Sequence, residues 1–287
     1  DGCIGWEDSV PVLEMLADAG LPFIEAGAFV SPKAVPQMDG SGEVLSMLGR
    51  RAGTRYPVLV PNERGMERAL AAEATDVALF TAASESFTRA NINATIAESL
   101  ENFRPVMRLA REHDIPVRGY VSTALGCPYE GYVAPEAVVR VASALVELGV
   151  WQVSIGDTIG VGTPAGVESV LGALLAVMPA EMLAVHFHDT RGTALANVLA
   201  AMQMGITTVD SSSAGLGGCP YAPGATGNLA TEDLLYMLQG MNIEAGVNID
   251  KVAEASMFIL KALGRSPASK FLQAFTSTRE GQANASS

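Results

Sequence analysis

The sequence predicts an α/β protein, and specifically a (β/α)8 TIM barrel whose first strand is largely missing from the chain and which carries an extra C-terminal helix. Short apolar runs alternate with helix-like stretches along the chain, a pattern typical of a parallel sheet covered by helices. Seven such units and an abrupt start at Asp1-Gly2 favour eight units, and eight strands close a barrel. We expect a single catalytic domain over residues 1–287, with about 250–287 as a C-terminal helical extension.

The predicted strands are the near-continuously apolar runs, as expected for strands buried on both faces. They are 23–29, 56–60, 76–80, 117–121, 152–155, 183–188 and 207–211. Pro135 and Pro164 suit the first turn of a helix, and Gly20, Gly149 and Gly205 suit the position after a helix end. The predicted helices include 8–19, 96–112, 135–148, 164–177 and 193–204. A doubly wound open sheet is the alternative architecture.

Composition excludes several classes of protein. The formal net charge of −13 argues against nucleic-acid or anionic-membrane binding, which needs basic patches. No apolar run reaches the roughly 18 residues of a membrane span. Three cysteines without paired spacing make a disulfide scaffold improbable, so a reducing cytoplasm is the expected compartment. Apolar residues make up 49% of the chain, which is enough for a large core.

Polar residues cluster where the apolar runs end. The active site of a parallel α/β barrel lies at the C-terminal ends of its strands, and ionisable groups on buried strands are costly unless they are paired or bind a metal. The convergence of these residues on one rim therefore indicates a functional site. They are Glu25 and Lys33, Asn62, Ser84 and Glu85, the segment 118–127 with Arg118, Asp157, His186 and His188, and 211–213.

Two motifs carry the most chemistry. His186 and His188 are two residues apart, so in a strand their imidazoles point to the same face and can bind one cation. Cys219 lies in the glycine-dense segment 215–222, where backbone freedom would let a thiol close over a bound substrate. A metal beside a mobile thiol indicates an enzyme. The alternatives are buried, hydrogen-bonded histidines and a cysteine that only packs.

The motifs resemble those of the 3-hydroxy-3-methylglutaryl-CoA lyases. The similarity runs in one collinear order over about residues 8–265. Its segments are Ala28-Phe29-Val30-Ser31-Pro32-Lys33, the runs 117–122 and 125–131, Gly156-Asp157-Thr158-Ile159-Gly160, Val185-His186-Phe187-His188-Asp189, 215–222 and Gly227-Asn228-Leu229-Ala230. The resemblance implies a (β/α)8 barrel that uses a divalent cation for retro-aldol-type cleavage to acetyl-CoA and acetoacetate, as in leucine degradation and ketone-body metabolism. It also implies a homodimer.

The resemblance also implies a set of metal ligands: Asp1, His186, His188 and Asn228. The family's Arg before that Asp is absent from the chain, and the stretch from Gly2 to Asp18 is shorter than the family's. Arg191 and Thr193 stand where the family usually has Tyr and Gln, and Ala34 stands in place of a Trp. The departures at Arg191, Thr193 and Ala34 leave the fine acyl-CoA preference open.

The chemistry assigns roles to the remaining polar residues. Nitrogen and oxygen ligands without thiolate favour Mg²⁺ or Mn²⁺ over a structural zinc. Glu25 and Asp157 are placed to hold ligands or relay protons, and Cys219 to protonate the enolate that forms as acetyl-CoA leaves. Arg118 and Lys33 are the candidates for offsetting the charge of the acyl-CoA substrate. Structural alternatives are an ion-pair role for Glu25 and Arg118 and helix capping near Pro164 for Asp157.

Two other functions remain open from the sequence. One is a related metal-dependent enzyme, either an acyl-CoA-condensing synthase or a 2-oxo-acid aldolase. The other is a non-catalytic barrel that binds acyl-CoA, which the altered N-terminus would allow. The Cys219 loop and the Ser31-Pro32-Lys33 segment favour the lyase.

Overall fold

A curled parallel sheet of seven strands forms the centre of the molecule. The computed structural model describes residues 5–31, 35, 38–218 and 227–285. The strands are hydrogen-bonded in chain order, and each neighbouring pair is parallel. All seven predicted strands are present: β1 (Gly27–Ala28), β2 (Val58–Leu59), β3 (Val77–Ala82), β4 (Val117–Ser122), β5 (Gln152–Asp157), β6 (Leu183–Phe187) and β7 (Val209–Asp210). This architecture confirms the α/β barrel fold class.

Helices follow the strands and cover the outer face of the sheet. Those of the first half of the chain are α1 (Trp6–Asp18), α2 (Ser41–Met47), α3 (Glu63–Ala71), α4 (Glu85–Ile92) and α5 (Ile96–Glu112). Those of the second half are α6 (Pro135–Leu148), α7 (Pro164–Leu175), α8 (Ala194–Gln203), α9 (Thr231–Gly240), α10 (Ile249–Leu263) and α11 (Lys270–Ala285). Short 3₁₀ turns occupy Ala180–Met182 and Ser213–Gly215. The region expected to be a helical extension contains α10, which packs against α1 and α9, and α11, which packs against α9.

Local signals explain where several helices begin and end. Thr95 and Glu98 form a reciprocal capping box at the start of α5, which satisfies two backbone N–H groups that the helix itself leaves free. Pro135 occupies the first turn of α6, and Gly149 ends it in the left-handed conformation. These local signals place the bounds of both helices at the predicted residues.

The two faces of the sheet carry different residues. On the outer face, large apolar side chains such as Ile155, Leu183 and Phe187 are fully buried against the helices. The strand register pairs Gly156 with His186 and Asp157 with Phe187. Side chains of paired residues in neighbouring strands point to the same face, so His186 faces the inside of the curl and Asp157 faces the helices.

Contacts across the sheet show how strongly it curls. Tyr120 of β4 donates a hydrogen bond to Glu25, which lies just before β1. The rings of Phe23, before β1, and Trp151, before β5, stack with centroids 5.9 Å apart. Strands at distant positions in the sheet order therefore meet across a central space. Among the helices of the described residues, none is both long enough and apolar enough to cross a membrane.

Candidate active site

Two histidines at the end of β6 form the centre of the candidate site. The imidazoles of His186 and His188 lie with their centroids 5.6 Å apart. Burial, and then the proximity of His186, lowers the pKa of His188 to about 4, so its ring is neutral near neutral pH. Its Nδ1 is buried and has no hydrogen-bond partner among the described residues. A neutral imidazole is the form that binds a metal.

Asn228 lies directly beside this pair, as residues 188 and 228 form an antiparallel bridge. Its Nδ2 donates to the carbonyl oxygen of Leu216 at 2.9 Å. Its Oδ1 is buried without a partner in the described part of the chain. A buried amide oxygen without a donor is costly, and a cation would satisfy it.

These three residues suit a divalent cation. Two imidazoles and an amide oxygen converge, and two of the three hold a buried atom that no protein group satisfies. The described residues contain no group of three or more His, Cys, Asp and Glu side chains placed to hold a metal. Asp1, the predicted carboxylate ligand, lies outside the described residues, as do Lys33 and Cys219.

Asp210 of β7 is paired with His186 in the strand register and forms an ion pair with Arg118. Its Oδ1 forms an ion pair with Nη1 of Arg118 at 2.9 Å, and its Oδ2 accepts a hydrogen bond from Oγ of Ser154 at 2.7 Å. Burial alone would raise the pKa of Asp210, but Arg118, His186 and Ser154 lower it to about 2. The same carboxylate lies 3.8 Å from Nδ1 of His186. Burial would lower the pKa of His186, and the interactions with Asp210 and Glu25 outweigh burial and raise it.

Glu25 is joined to this ion pair through Tyr120. Tyr120 Oη accepts from Nη1 of Arg118 at 2.9 Å and donates to Oε1 of Glu25 at 2.6 Å. The protein packed around Glu25 raises the pKa of its carboxyl, and the hydrogen bond from Tyr120 offsets this only in part. Glu25 nevertheless keeps contact with solvent, so it is a carboxyl that can both hold a proton and exchange it.

Arg118 is almost fully buried at the base of the same network. Its Nε donates to Gln152 at 3.0 Å, while its Nη2 has no partner among the described residues. The guanidinium therefore neutralises Asp210, and its Nη2 is a buried donor group without an acceptor among the described residues. This arrangement fits both the ion-pair alternative and the predicted role in offsetting substrate charge.

Asp157 is not brought together with the histidines. It is fully buried, and its two carboxylate oxygens accept from the backbone N–H groups of Val161 and Gly162 at 3.0 and 2.8 Å. Burial raises the pKa of Asp157, and these two hydrogen bonds partly offset the rise. Asp157 thus fixes the loop between β5 and α7, close to the capping alternative, although Thr163 is the N-cap residue of α7.

The comparisons with known proteins show the family of the chain. A family model described as HMGL-like matches residues 6–259. The chain belongs to the HMGL-like family. It is 56% identical over 265 residues to the mitochondrial hydroxymethylglutaryl-CoA lyase of Rattus norvegicus, which covers 92% of the chain and 82% of that protein. It is 54% identical to the cytoplasmic 3-hydroxy-3-methylglutaryl-CoA lyase of Danio rerio, over 93% of the chain and 80% of the relative.

A solved structure gives the same answer for the fold of this HMGL-like chain. The hydroxymethylglutaryl-CoA lyase of Pseudomonas aeruginosa superimposes with a TM-score of 0.94 and 48% identity, covering 97% of the chain and 93% of that structure. The resemblance inferred from the motifs is therefore confirmed.

Sequence reasoning missed part of the network. Asp210 lies inside an apolar run and belongs to no motif, and Tyr120 and Ser154 were not singled out. A signal was present in the alternation of polar residues along β4 and β5, where Arg118 and Tyr120, and then Gln152 and Ser154, occupy every second position. In a strand, this spacing places both polar residues of each pair on one face.

Proposed function

We propose that this HMGL-like chain cleaves 3-hydroxy-3-methylglutaryl-CoA into acetyl-CoA and acetoacetate. The observation that carries the proposal is the 56% identity with the rat lyase over 92% of the chain, since it includes the collinear motifs of the strand ends. The geometry at the end of β6 supports it, because two imidazoles and an unsatisfied amide oxygen converge there. The chain is therefore an enzyme of the carbon–carbon lyase class.

His186, His188 and Asn228 would hold a divalent cation, with Asp1 as the fourth protein ligand. Bound there, the cation would polarise the substrate hydroxyl and neutralise negative charge on the substrate. Imidazole and oxygen ligands without thiolate favour Mg²⁺ or Mn²⁺. The neutral state of His188 near neutral pH suits ligation, since a protonated imidazole has no free lone pair.

The protein side chains carry the proton transfers. Glu25 accepts the proton of the tertiary hydroxyl, directly or through water, which its raised pKa and solvent contact favour. The carbon–carbon bond then breaks, its electron pair forms the enolate of acetyl-CoA, and the hydroxyl carbon becomes the ketone of acetoacetate. Cys219 donates its thiol proton to the enolate carbon to give acetyl-CoA.

Arg118 and Lys33 offset the negative charge of the acyl-CoA substrate in this acidic protein. The position of the Arg118 charge in the same network as His186 supports its part in this role. Asp157 acts indirectly: it fixes the conformation of the β5–α7 loop by accepting hydrogen bonds from the N–H groups of Val161 and Gly162. We also propose a homodimer, no nucleic-acid or membrane partner, and a cytoplasmic location.

The decisive experiment is incubation of the full-length protein with 3-hydroxy-3-methylglutaryl-CoA and Mg²⁺ or Mn²⁺, with acetoacetate measured enzymatically. We expect metal-dependent release of acetoacetate and acetyl-CoA in equal amounts. Turnover of a 2-oxo acid, or condensation of acyl-CoA, without acetoacetate release would favour the related enzymes. Binding of the acyl-CoA without turnover of any of these would identify a non-catalytic barrel.

His186→Ala tests the metal site separately. His113→Ala is a matched control, because His113 is an exposed imidazole outside the site. We expect Mn²⁺ affinity, measured by titration calorimetry, to fall in His186→Ala by more than the roughly 10- to 100-fold that is typical when an outer partner of a ligand is lost. His113→Ala should bind Mn²⁺ as the parent does. Equal affinity in the two variants would contradict the ligand assignment.

A further inference from the structure

Among the described residues, Asp210 is the carboxylate that forms a close charge contact with a ring nitrogen of a proposed metal ligand. Its Oδ2 faces Nδ1 of His186 at 3.8 Å. This separation is longer than a direct hydrogen bond, so the interaction acts through charge. A carboxylate at this position repels a bare lone pair on Nδ1 and attracts the positive end of an N–H group.

Two further contacts fix the carboxylate in this place. Arg118 Nη1 lies 2.9 Å from Oδ1, and Ser154 Oγ donates to Oδ2 at 2.7 Å. Both groups come from strands of the same sheet, Arg118 from β4 and Ser154 from β5, so Asp210 is held by the sheet and not by a loop. Arg118 also keeps Asp210 ionised, because a buried carboxylate is stable only when it is paired.

We propose that Asp210 is a positioning residue, which holds His186 in the tautomer with its proton on Nδ1 and so leaves Nε2 free for the divalent cation. Ligating histidines commonly direct their second N–H to a carboxylate, which fixes the ring and the tautomer. The inference rests on the proposed function, because His186 is a ligand only if the cation binds. It adds a residue that belongs to none of the motifs of the family resemblance.

The test must separate this role from simple charge balance, since removing Asp210 also leaves Arg118 unpaired. Asp210→Asn keeps the shape of the side chain and removes its charge. The double variant Arg118→Met/Asp210→Asn removes both charges, so the net charge of the pair stays at zero. Ser154→Ala is the matched control, because it removes one donor and leaves the carboxylate in place.

The first measurement is the tautomer of His186 in the metal-free protein, by long-range ¹H–¹⁵N NMR at a pH where the imidazoles are neutral. The chain has three histidines, and the exposed His113 serves as an internal reference. We expect an Nδ1–H imidazole at His186 in the parent and in Ser154→Ala. We expect loss of this tautomer in Asp210→Asn and in the double variant.

The second measurement is Mn²⁺ affinity by titration calorimetry of the full-length chain. We expect Asp210→Asn and the double variant each to bind about 10- to 100-fold more weakly, and Ser154→Ala to bind within a few-fold of the parent. Parental affinity in the double variant, or an unchanged His186 tautomer in Asp210→Asn, would overturn the inference. If the parent itself binds no Mn²⁺, the proposed metal site fails, while the tautomer measurement still decides whether Asp210 orients His186.

Discussion

A single thiol is the residue on which the proposed proton transfer depends. We expect Cys219→Ser to reduce turnover by about 10²- to 10⁴-fold, the usual contribution of a general acid–base group, because a serine hydroxyl is a far weaker acid than a thiol. Melting temperature should barely change. The measurement is turnover of the purified variant at saturating Mn²⁺.

Cys127→Ser is the matched control for this thiol. Cys127 is buried, its Sγ lies 2.9 Å from Oγ of Ser84, and it accepts from the backbone N–H of Tyr129 at 3.3 Å. Its replacement should therefore lower stability and leave turnover near that of the parent. Activity of Cys219→Ser within a few-fold of the parent would reduce Cys219 to a structural residue.

Glu232 gives a pH-dependent prediction at the scale of one residue. It is fully buried, accepts from the N–H of Ala214 at 2.9 Å, and has an Oε2 without a partner among the described residues. Burial raises its pKa above the ordinary value of 4.5. The folded state therefore binds this proton more tightly than the unfolded state, and the stability that the raised pKa contributes is lost as pH rises from about 4.5 through the folded pKa.

Glu232→Gln should remove the fall in the free energy of unfolding that ionisation of Glu232 causes, because glutamine keeps an acceptor for the N–H group of Ala214 and carries no charge. We expect the free energy of unfolding of the variant, relative to the parent, to increase with pH across that window and then level off. Urea unfolding at a series of pH values measures it. If the difference in the free energy of unfolding between the two proteins does not change with pH, ionisation of Glu232 does not destabilise the fold.

At the scale of elements, the loop after the Ser213–Gly215 turn sets the position of a proposed ligand. Gly217 has a φ of +88°, and a Cβ there would lie 2.7 Å from Nδ2 of Asn228. Gly192 also has a positive φ, of +71°, but a Cβ there would meet nothing within 4 Å. The two glycines share the backbone conformation and differ in what they contact.

Gly217→Ala and Gly192→Ala therefore form a matched pair. Both should lose stability, because an L side chain is strained at positive φ. Only Gly217→Ala should also weaken Mn²⁺ binding, since its methyl group displaces the amide of Asn228. Calorimetry with Mn²⁺ and thermal melting of both variants test this. Equal metal affinity in the two variants would argue against Asn228 as a ligand.

The elements that the sequence predicted well are those with local signals. The α5 and α6 helices begin and end at the predicted residues, since the capping box at Thr95 and the Pro135 and Gly149 signals act within a single turn. The short α2 and α4 helices were not predicted, because seven or eight residues give too little periodicity. Strands β1, β2 and β7 are shorter than their apolar runs, since strand length depends on the neighbouring strand.

In the candidate site, too, only features that depend on residues close together in sequence could be predicted. The spacing of His186 and His188 predicted that their rings lie together, and they do, with His186 in β6 and His188 directly after it. The faces of Asp157 and Asp210 depend on the register between β5, β6 and β7, and register between strands that are far apart in sequence leaves no local signal. Sequence could therefore place Asp157 at a strand end, while its orientation away from His186 required the structure.

At the scale of the whole molecule, the two ends of the barrel have separate tasks. The proposed histidine ligands lie at the C-terminal end of β6, while a partly buried ion pair lies at the N-terminal end of the barrel. Arg55, just before β2, pairs with the buried Asp76 before β3. The Arg55 guanidinium also lies over the rings of Phe23 and Trp151, 4.8 and 5.3 Å from their centroids. This cluster joins strands from opposite sides of the curl.

Arg55→Met should therefore destabilise the fold without changing the site. Methionine keeps apolar contact with Phe23 and Trp151, but it leaves the Asp76 carboxylate without its partly exposed cation, which costs about 1–3 kcal/mol, between the values for surface and buried pairs. Arg51→Met is the control, because Arg51 pairs with Asp18 at the surface, where both side chains are about half exposed, and the loss of such a pair changes stability little. Urea unfolding gives the stabilities, and Mn²⁺ calorimetry on folded protein should match the parent in both variants. A weaker Mn²⁺ affinity in Arg55→Met would mean that the two ends of the barrel are coupled. A stability loss no larger than that of Arg51→Met would mean that the N-terminal cluster does not stabilise the barrel.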